Sequence, residues 1–381
     1  MRPVSIVATY QLPVRKQHEA SLRQLGAQAV RGALAAAGLA RVDALYLGNM
    51  LSDELQSQKH LAALVADEAG LAGIEALQLR AATATGAAAL RAGFLAISSG
   101  LVDTAVVVGA EKMSEQSSVP ALSKALDARY EVPEGATMLS QNAQLLALYC
   151  ERYGLSPDRF ASFAVNAHRN ARHNPNALFH DKVVTGETVL ASRFIMPPLR
   201  LYDCAPICDG AAAVVLAPTS EASRYGERPV RLLASAAATD RFRLADRPDP
   251  LHLAAAARSA QQALQQAGIT RDAVDFFELH DAFSIMACLQ LEAAGFAAPG
   301  EGWRLAVEDE IRLGGRIPIA TLGGLKARGH PIGATALYQV CEIVSQLTGS
   351  AGANQLPSPR FALQQSVGGS GATVLSHVFS V

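Results

Sequence analysis

The chain has 381 residues, of which 50% are hydrophobic and only 6% aromatic, so it is long enough for two core-forming units built mainly from alanine, valine and leucine. Its formal net charge is -1, which gives no electrostatic reason to expect nucleic acid or an anionic membrane as a partner. No phosphate-binding loop, zinc-ligand spacing or dinucleotide fingerprint occurs, so we expect neither nucleotide hydrolysis nor a bound metal.

Five cysteines are scattered through the chain without the spacing of metal ligands or of a disulfide framework. This usage fits a reducing compartment, and we expect a cytoplasmic protein. The first nine residues have the pattern of a short strand, which is too short for a secretory signal or a membrane-spanning helix.

Helices and strands alternate in the first part of the chain. Residues 21–37 carry leucine and alanine at helical spacing, and Gly38 fits a helix C-cap before a strand at 44–49. After Leu79 a strand ends and a helix of small residues begins close to Thr83, so the positive end of that helix should point at whatever Thr83 touches. A buried strand is expected at 105–110.

The middle of the chain is irregular but structured. Helices are expected near residues 140–153 and 156–170, which is too much structure for a linker. Residues 197–216 return the chain to a buried strand, and we interpret Cys204 and Cys208 there as core residues. The charged segment 224–247 is expected to join two halves over the surface.

A helix-strand pattern occurs twice. Residues 263–268 precede a strand at 274–280 in the way that residues 33–38 precede a strand at 42–47, and both helices end in glycine. This similarity predicts an internal duplication. Chance similarity of two alanine-rich helices is the alternative explanation.

Two histidines stand in unusual surroundings. His280 follows a hydrophobic strand, and the carboxyl ends of strands are where α/β folds keep their chemistry. His330 lies in the glycine-rich segment 321–335, where Pro331 fixes the next φ angle, so it is expected on a constrained loop. A histidine held in this way is suited to moving protons, although a tight turn with a surface histidine would give the same pattern.

His280-Asp281-Ala282-Phe283, Gly329-His330-Pro331 and the glycine-rich turn at 366–372, in this order, resemble the thiolase superfamily. The chain is most similar to the sterol-carrier and lipid-transfer branch, to which archaeal acetoacetyl-CoA thiolases also belong. The resemblance covers nearly the whole chain.

The resemblance implies an α/β fold in which two duplicated halves form five layers, α-β-α-β-α. It places the N-terminal half at residues 1–222 and the C-terminal half at 223–381. It also implies a loop domain, inserted at about 114–199, that covers the active site and helps to bind coenzyme A. Relatives form homodimers or tetramers through the sheet next to the nucleophile segment, and we expect the same here.

Thiolases use a cysteine at a helix N-terminus as nucleophile and a second cysteine as acid and base, and the matching positions here are Thr83 and Ser366. Because a hydroxyl is hardly ionised near neutral pH, Thr83 would need a strong base beside it to attack a thioester. Thr85 and Ala87 also depart from the pattern expected there, which favours natural divergence over an engineered replacement.

Other candidate residues for catalysis are present. His280 and His330 are candidates for proton transfer, and the backbone N–H groups around Gly368 and Gly369 are candidates for stabilising a thioester oxygen that becomes an enolate. Lys326 and Arg328 are weaker candidates for binding coenzyme A phosphates, since basic residues beside glycine turns are more often solvated.

Four hypotheses follow. The chain makes or breaks a carbon–carbon bond of an acyl-CoA by retro-aldol cleavage or decarboxylation, without a cysteine nucleophile. It is a silent subunit that binds an acyl-CoA or a partner enzyme. It is an acyl-CoA acyltransferase that uses Thr83, with His330 as base. Or its motifs are only structural.

The lyase hypothesis has a parallel in thiolase-like aldolases for steroid side chains, which also lack the cysteine and work with an OB-fold, zinc-ribbon partner protein. Those aldolases carry tyrosines at the positions of His280 and His330, so this chain departs from them. The resemblance implies no tightly bound cofactor, because coenzyme A enters as part of the substrate.

Overall fold

The computed structural model describes all residues from Met1 to Val381. The strands are β1 (Val4–Gln11), β2 (Ala44–Gly48), β3 (Glu75–Leu79), β4 (Ala105–Glu111), β5 (Phe194–Met196), β6 (Leu199–Arg200), β7 (Gly210–Pro218), β8 (Val230–Thr239), β9 (Phe276–Glu278), β10 (Phe361–Gly368) and β11 (Thr373–Ser380). The helices are α1 (Leu22–Ala36), α2 (Ser52–Leu55), α3 (Leu61–Glu68), α4 (Thr85–Ser99), α5 (Ser118–Ser123), α6 (Met138–Tyr153), α7 (Ala161–Ala171), α8 (Gly186–Leu190), α9 (Ala254–Ala267), α10 (Ser284–Ala293), α11 (Gly302–Val307) and α12 (Thr335–Leu347).

Nine of the strands form one sheet in the order β3-β2-β4-β7-β1-β8-β11-β10-β9. The run β1-β7-β4-β2 in the first half has the same order and strand directions as β8-β11-β10-β9 in the second, with two antiparallel pairs followed by a parallel one. The antiparallel pair β1 and β8 joins the halves. The α/β fold is therefore a duplicated one.

The turns after α1 and α9 repeat the same geometry. Gly38 and Gly268 have φ angles of 64° and 69°, a region that glycine enters without a steric penalty. In both turns the next residue donates its backbone N–H to the carbonyl five residues earlier, at 3.0 and 3.2 Å (Leu39 to Leu34, Ile269 to Leu264).

The helices fill the layers that the resemblance implies. α1 packs on one face of the first-half strands, and α9 packs on β8 and β11. α4 and α12 contact each other and touch strands of both halves, so they form the middle layer. Three large apolar clusters follow from this, one under each outer layer and one around the two middle helices. No helix combines the length and the apolar character that a membrane crossing requires.

The expectation that residues 224–247 form a surface connection is wrong. They contain β8, which lies in the middle of the sheet between β1 and β11. The second half of this strand is rich in alanine, which has little preference for strands by itself. Its two neighbours, and not its own residues, make it a strand.

The excursion between β4 and β7 holds α5 to α8 and the small hairpin of β5 and β6. The helix expected at 156–170 begins as a 3-10 turn, Pro157–Phe160, and continues as α7. The boundaries at 114–199 and after residue 222 stay predictions.

A close backbone contact ties the His330 loop to the middle of the fold. Added Cβ atoms on Gly86 and Gly109 would lie 2.7 and 2.5 Å from the carbonyl oxygen of Gly333. Real Cβ atoms do not approach a backbone oxygen so closely, so the start of α4, strand β4 and the His330 loop meet only because these positions have no side chain.

We expect Gly109→Ala to lower the free energy of unfolding by about 1–3 kcal/mol, because the methyl group must push the Gly333 backbone away. Urea unfolding measures this loss. Gly314→Ala is the matched control, since a Cβ there meets nothing within 4 Å. Equal stability of the two variants would show that the contact is looser than described.

Candidate active site

The candidate site lies where the two middle helices begin. Thr83 stands between β3 and α4, in a turn where Ala82 has a φ angle of 48°. His330 occupies the corresponding place in the second half, in the loop before α12. The duplication thus brings together one loop from each half, each at the start of a middle helix.

The Thr83 hydroxyl already has a hydrogen-bond partner. Its Oγ1 donates to the carbonyl oxygen of Val367, at 2.5 Å, near the end of β10. A hydroxyl has one proton, so in this arrangement Thr83 donates none to an imidazole.

The hydrogen-bond partners of His330 indicate which of its two ring nitrogens carries the proton. Its Nδ1 lies 2.7 Å from the hydroxyl of Thr335, and that hydroxyl donates to the carbonyl of Pro331 at 3.1 Å. Because Thr335 has only one proton to give, we assign the hydrogen of the His330 ring to Nδ1, from which it is donated to Thr335. The Nε2 atom of His330 is therefore left as a free base.

His280 complements His330. The two ring centroids are 5.1 Å apart, and the rings are nearly perpendicular at 87°. Gln290 fixes the backbone of His280 by two hydrogen bonds, of 3.0 and 2.8 Å. The His280 Nδ1 atom is buried without a partner, and burying an unpaired N–H is costly, so we assign the proton to Nε2.

Both imidazoles are neutral at physiological pH. Burial lowers the pKa of His280 to about 3, and the positive charge of Arg328 acts in the same direction. Burial, together with His280 and Arg328, holds the pKa of His330 well below its ordinary value. The site thus contains one neutral base and one neutral hydrogen-bond donor.

These groups open onto one cavity of about 400 Å³. Thr83, His280, His330 and Gly369 line it, and 16 of its 25 lining residues are hydrophobic. Most of the 25 lining residues lie in the excursion between β4 and β7. The cavity therefore has the apolar walls and few convergent polar groups that are typical of a ligand site.

Comparisons with known families now decide the class of protein. The thiolase N-terminal domain matches residues 4–220, and the thiolase C-terminal-like domain matches residues 236–381. The chain belongs to the thiolase family.

An acetyl-CoA acetyltransferase of Methanothermobacter thermautotrophicus is 39% identical to this thiolase-family chain, over the full length of both. Human sterol carrier protein 2 is 29% identical over 88% of this chain and 63% of its own length. A solved structure described as an Ltp2-ChsH2(DUF35) aldolase superposes with a TM-score of 0.85 at 23% identity, covering 98% of this chain and 97% of its own. At that identity the superposition shows the thiolase fold alone.

Ser366, which was predicted to replace a catalytic cysteine, does not line the cavity. Its side chain is fully buried and accepts a hydrogen bond from Gln364 at 2.8 Å. Gln364 in turn donates to Gln339 of α12, at 3.0 Å. The period of β10 puts Ser366 and Gln364 on one face, turned towards that helix.

The two glycines of the terminal turn differ in role. A Cβ on Gly368 would lie 2.6 Å from the carbonyl of Ala81, so this glycine allows β10 to approach the Thr83 turn. Gly369 has a φ angle of 61° and borders the cavity.

Lys326 and Arg328 are both buried, so the expectation that they are solvated is wrong. Arg328 forms a hydrogen-bonded ion pair with Glu342 at 2.8 Å, and neither side chain is exposed. Lys326 borders the cavity, but its Nζ atom donates to the carbonyl of Asp203 at 2.6 Å. Arg328 therefore does not meet solvent, and its charge already has a partner inside the protein.

The acidic neighbours of His280 also have other partners. Glu278 accepts two hydrogen bonds from Thr321, and Asp281 accepts one from the backbone N–H of Leu325 at 2.7 Å. Neither carboxylate orients an imidazole directly. They instead hold the start of the π-helical turn at Gly324–Arg328 that leads to His330.

Sequence analysis missed Glu111 and Thr335. Glu111 accepts backbone N–H groups of Met50, Leu51 and Gly333, so it clamps the His330 loop onto β2 and β4. Burial raises its pKa to about 7 although these hydrogen bonds act against it. An acidic residue at the end of an otherwise apolar strand was the available signal.

We expect Glu342→Leu to destabilise the protein by about 3–5 kcal/mol, because it leaves the Arg328 charge buried and uncompensated beneath the histidines. Urea unfolding measures the change. Glu221→Leu is the control, since it breaks a largely exposed ion pair with Arg224 and should cost less than about 1 kcal/mol. Similar losses in the two variants would contradict the buried pair.

Proposed function

We propose that this thiolase-family chain acts on an acyl-CoA thioester and makes or breaks a carbon–carbon bond without an acyl-enzyme. The observation that carries this proposal is the division of roles in the cavity. His330 offers a free base and His280 a neutral donor, whereas the Thr83 hydroxyl is engaged by Val367. This arrangement provides for proton transfer better than for nucleophilic attack.

Retro-aldol cleavage of a β-hydroxyacyl-CoA uses these groups in turn. The Nε2 atom of His330 takes the proton of the β-hydroxyl, whose electrons form a new C=O bond. The Cα–Cβ bond breaks, and its electron pair moves into the thioester as an enolate. The N–H of His280 donates to the enolate oxygen, and the His330 imidazolium then protonates Cα. The products are a carbonyl compound and a shorter acyl-CoA.

The lowered pKa of His330 suits the second proton transfer but not the first, for which it makes the imidazole a weaker base. Burial makes the His330 imidazolium a strong acid, so it returns its proton readily to carbon. Decarboxylation of a β-carboxyacyl-CoA would pass through the same enolate, but it needs no base to start. The free Nε2 of His330 thus favours the aldol type.

Acyl transfer through Thr83 is the second candidate, supported by the name of the archaeal relative. It requires Thr83 to leave Val367 and give up its proton to His330. The third candidate is a silent subunit that only binds an acyl-CoA or a partner enzyme. It is supported by the hydroxyl residues Thr83 and Ser366 at the two positions where the resemblance places cysteines.

Several expectations from the resemblance complete the proposal. Homodimers or tetramers would form through β3, which is an edge strand of the sheet beside the Thr83 segment. A partner protein of the OB-fold, zinc-ribbon type would attach as in the aldolases. Coenzyme A would enter only as part of the substrate, and the compartment would be the cytoplasm.

Replacement of Thr83 separates the proposals. We expect Thr83→Val to keep cleavage of β-hydroxyacyl-CoA substrates within about fivefold, whereas His330→Ala should lose about a hundredfold or more. Turnover with a panel of such thioesters, with and without the candidate partner protein, measures both. Intact mass after incubation with acetoacetyl-CoA should show no acyl adduct.

An adduct that disappears in Thr83→Val would instead establish the acyltransferase mechanism. Thioester binding without turnover on any substrate, with or without partner, would leave the silent subunit. The Cys204→Ser variant is the control, because Cys204 places a second nucleophilic group, a thiol, on the cavity wall.

The pH dependence tests the state of His330. Because burial holds its pKa well below 6.5, it stays a base as the pH falls through that value. We expect kcat/KM for the cleavage to stay level between about pH 8 and 6. A loss of activity centred near pH 6.5, absent from the residual activity of His330→Ala, would mean that the imidazole is solvated.

A further inference from the structure

A second polar cluster lines the same cavity as the catalytic histidines. It consists of His168, Phe179, Lys182 and Tyr202, and we call it the lysine cluster. The His168 ring stacks on Phe179 with centroids 5.6 Å apart, and meets Tyr202 edge-on at 5.4 Å. The proton transfers proposed above use none of these side chains.

Lys182 brings a positive charge without a matching negative one. Its Nζ atom lies 5.2 Å from the ring centre of Phe179 and 5.0 Å from that of Tyr202, so two aromatic faces hold the ammonium group. No aspartate or glutamate is among the 25 residues that line the cavity. The charge of the other cavity lysine, Lys326, is balanced by Asp281 and Asp203 nearby.

His168 adds a neutral donor beside this charge. It is 2% exposed, and its Nδ1 atom is buried without a partner. As with His280, this assigns the proton to Nε2. Burial lowers the pKa of His168 to about 4, so the ring is neutral. The lysine cluster thus offers an ammonium group and an imidazole N–H, and no charged acceptor.

Such a cluster selects a negatively charged ligand group. A carboxylate that enters an apolar cavity loses its hydration and needs a charged partner in exchange. The phosphates of coenzyme A have the same chemistry, but a cavity of about 400 Å³ is small for a nucleotide as well as an acyl group. Within the lysine cluster His168 is almost completely buried, whereas Phe179, Lys182 and Tyr202 are half-buried.

We propose, on the basis of the function proposed above, that the acyl group carries a carboxylate of its own, which binds Lys182 and the N–H of His168. The substrate would then be a coenzyme A thioester of a dicarboxylic acid. Lys182 would determine specificity, while His280 and His330 carry out the chemistry.

Equilibrium binding of paired thioesters tests this proposal. Succinyl-CoA and glutaryl-CoA are compared with butyryl-CoA and valeryl-CoA, which have the same chain length without the carboxylate. We expect the carboxylated member of at least one pair to bind roughly ten- to a hundredfold more tightly, as for a hydrogen bond to a charged group. Lys182→Met should remove this preference, and Lys182→Arg should keep most of it.

The control is Lys16→Met, which removes an exposed positive charge elsewhere and should change nothing. Equal binding within both pairs in the unmodified protein would overturn the proposal. So would a preference that survives Lys182→Met when the variant keeps the melting temperature of the unmodified protein.

The same acyl groups on pantetheine, which lacks the nucleotide phosphates, distinguish the two anions. The proposal requires Lys182→Met to weaken glutaryl-pantetheine and to spare valeryl-pantetheine. If the variant instead weakens both coenzyme A thioesters equally and neither pantetheine thioester, Lys182 binds a phosphate and the proposal fails. Because binding is measured, a chain without lyase activity can still pass or fail this test, so the two proposals fail separately.

Discussion

The contact between the Gly333 backbone and the glycines of the first half determines the rest of the site. The Gly333 carbonyl lies where side chains of Gly86 and Gly109 would be, and its N–H donates to the buried Glu111 at 2.9 Å. One half of the duplicated chain is thereby fixed against the other at the starts of α4 and α12. The position of His330 relative to Thr83 follows from this contact.

The same contact explains the electrostatics of the site. Because the two loops meet in the middle layer, His280 and His330 are buried, and burial keeps both rings neutral. Beneath them the buried charge of Arg328 is paired with Glu342. Neutral imidazoles in a largely apolar cavity can stabilise an enolate oxygen through a fixed N–H donor, without the reorganisation that water would need.

Much of this arrangement is visible in the sequence, because unusual residues mark it. Glycines around His330 and the strand before His280 predicted the loop and the strand end, and the repeated helix-strand pattern predicted the duplication. Local patterns did not reveal β8, since its alanine-rich second half becomes a strand only between two neighbours. They also did not give the face of β10 on which Ser366 lies.

The burial of Lys326 and Arg328 was not predictable from their own segment. Their partners, Asp203 and Glu342, are distant in sequence or on another element, and only the folded chain brings them together. The surroundings of Lys182 were also not predictable from its own segment, because its two aromatic partners come from two parts of the chain. Residues whose role depends on long-range contacts are the ones that a single sequence hides.

Exchange of α-protons tests the central claim most directly, because it follows enolate formation apart from any bond cleavage. With butyryl-CoA in D₂O, the account predicts that the protein catalyses deuterium incorporation at the α-carbon, seen by NMR, without an acyl adduct in the intact mass. The exchange should vanish in His330→Ala and persist in Thr83→Val. Exchange that needs Thr83, or that continues without His330, would contradict the account.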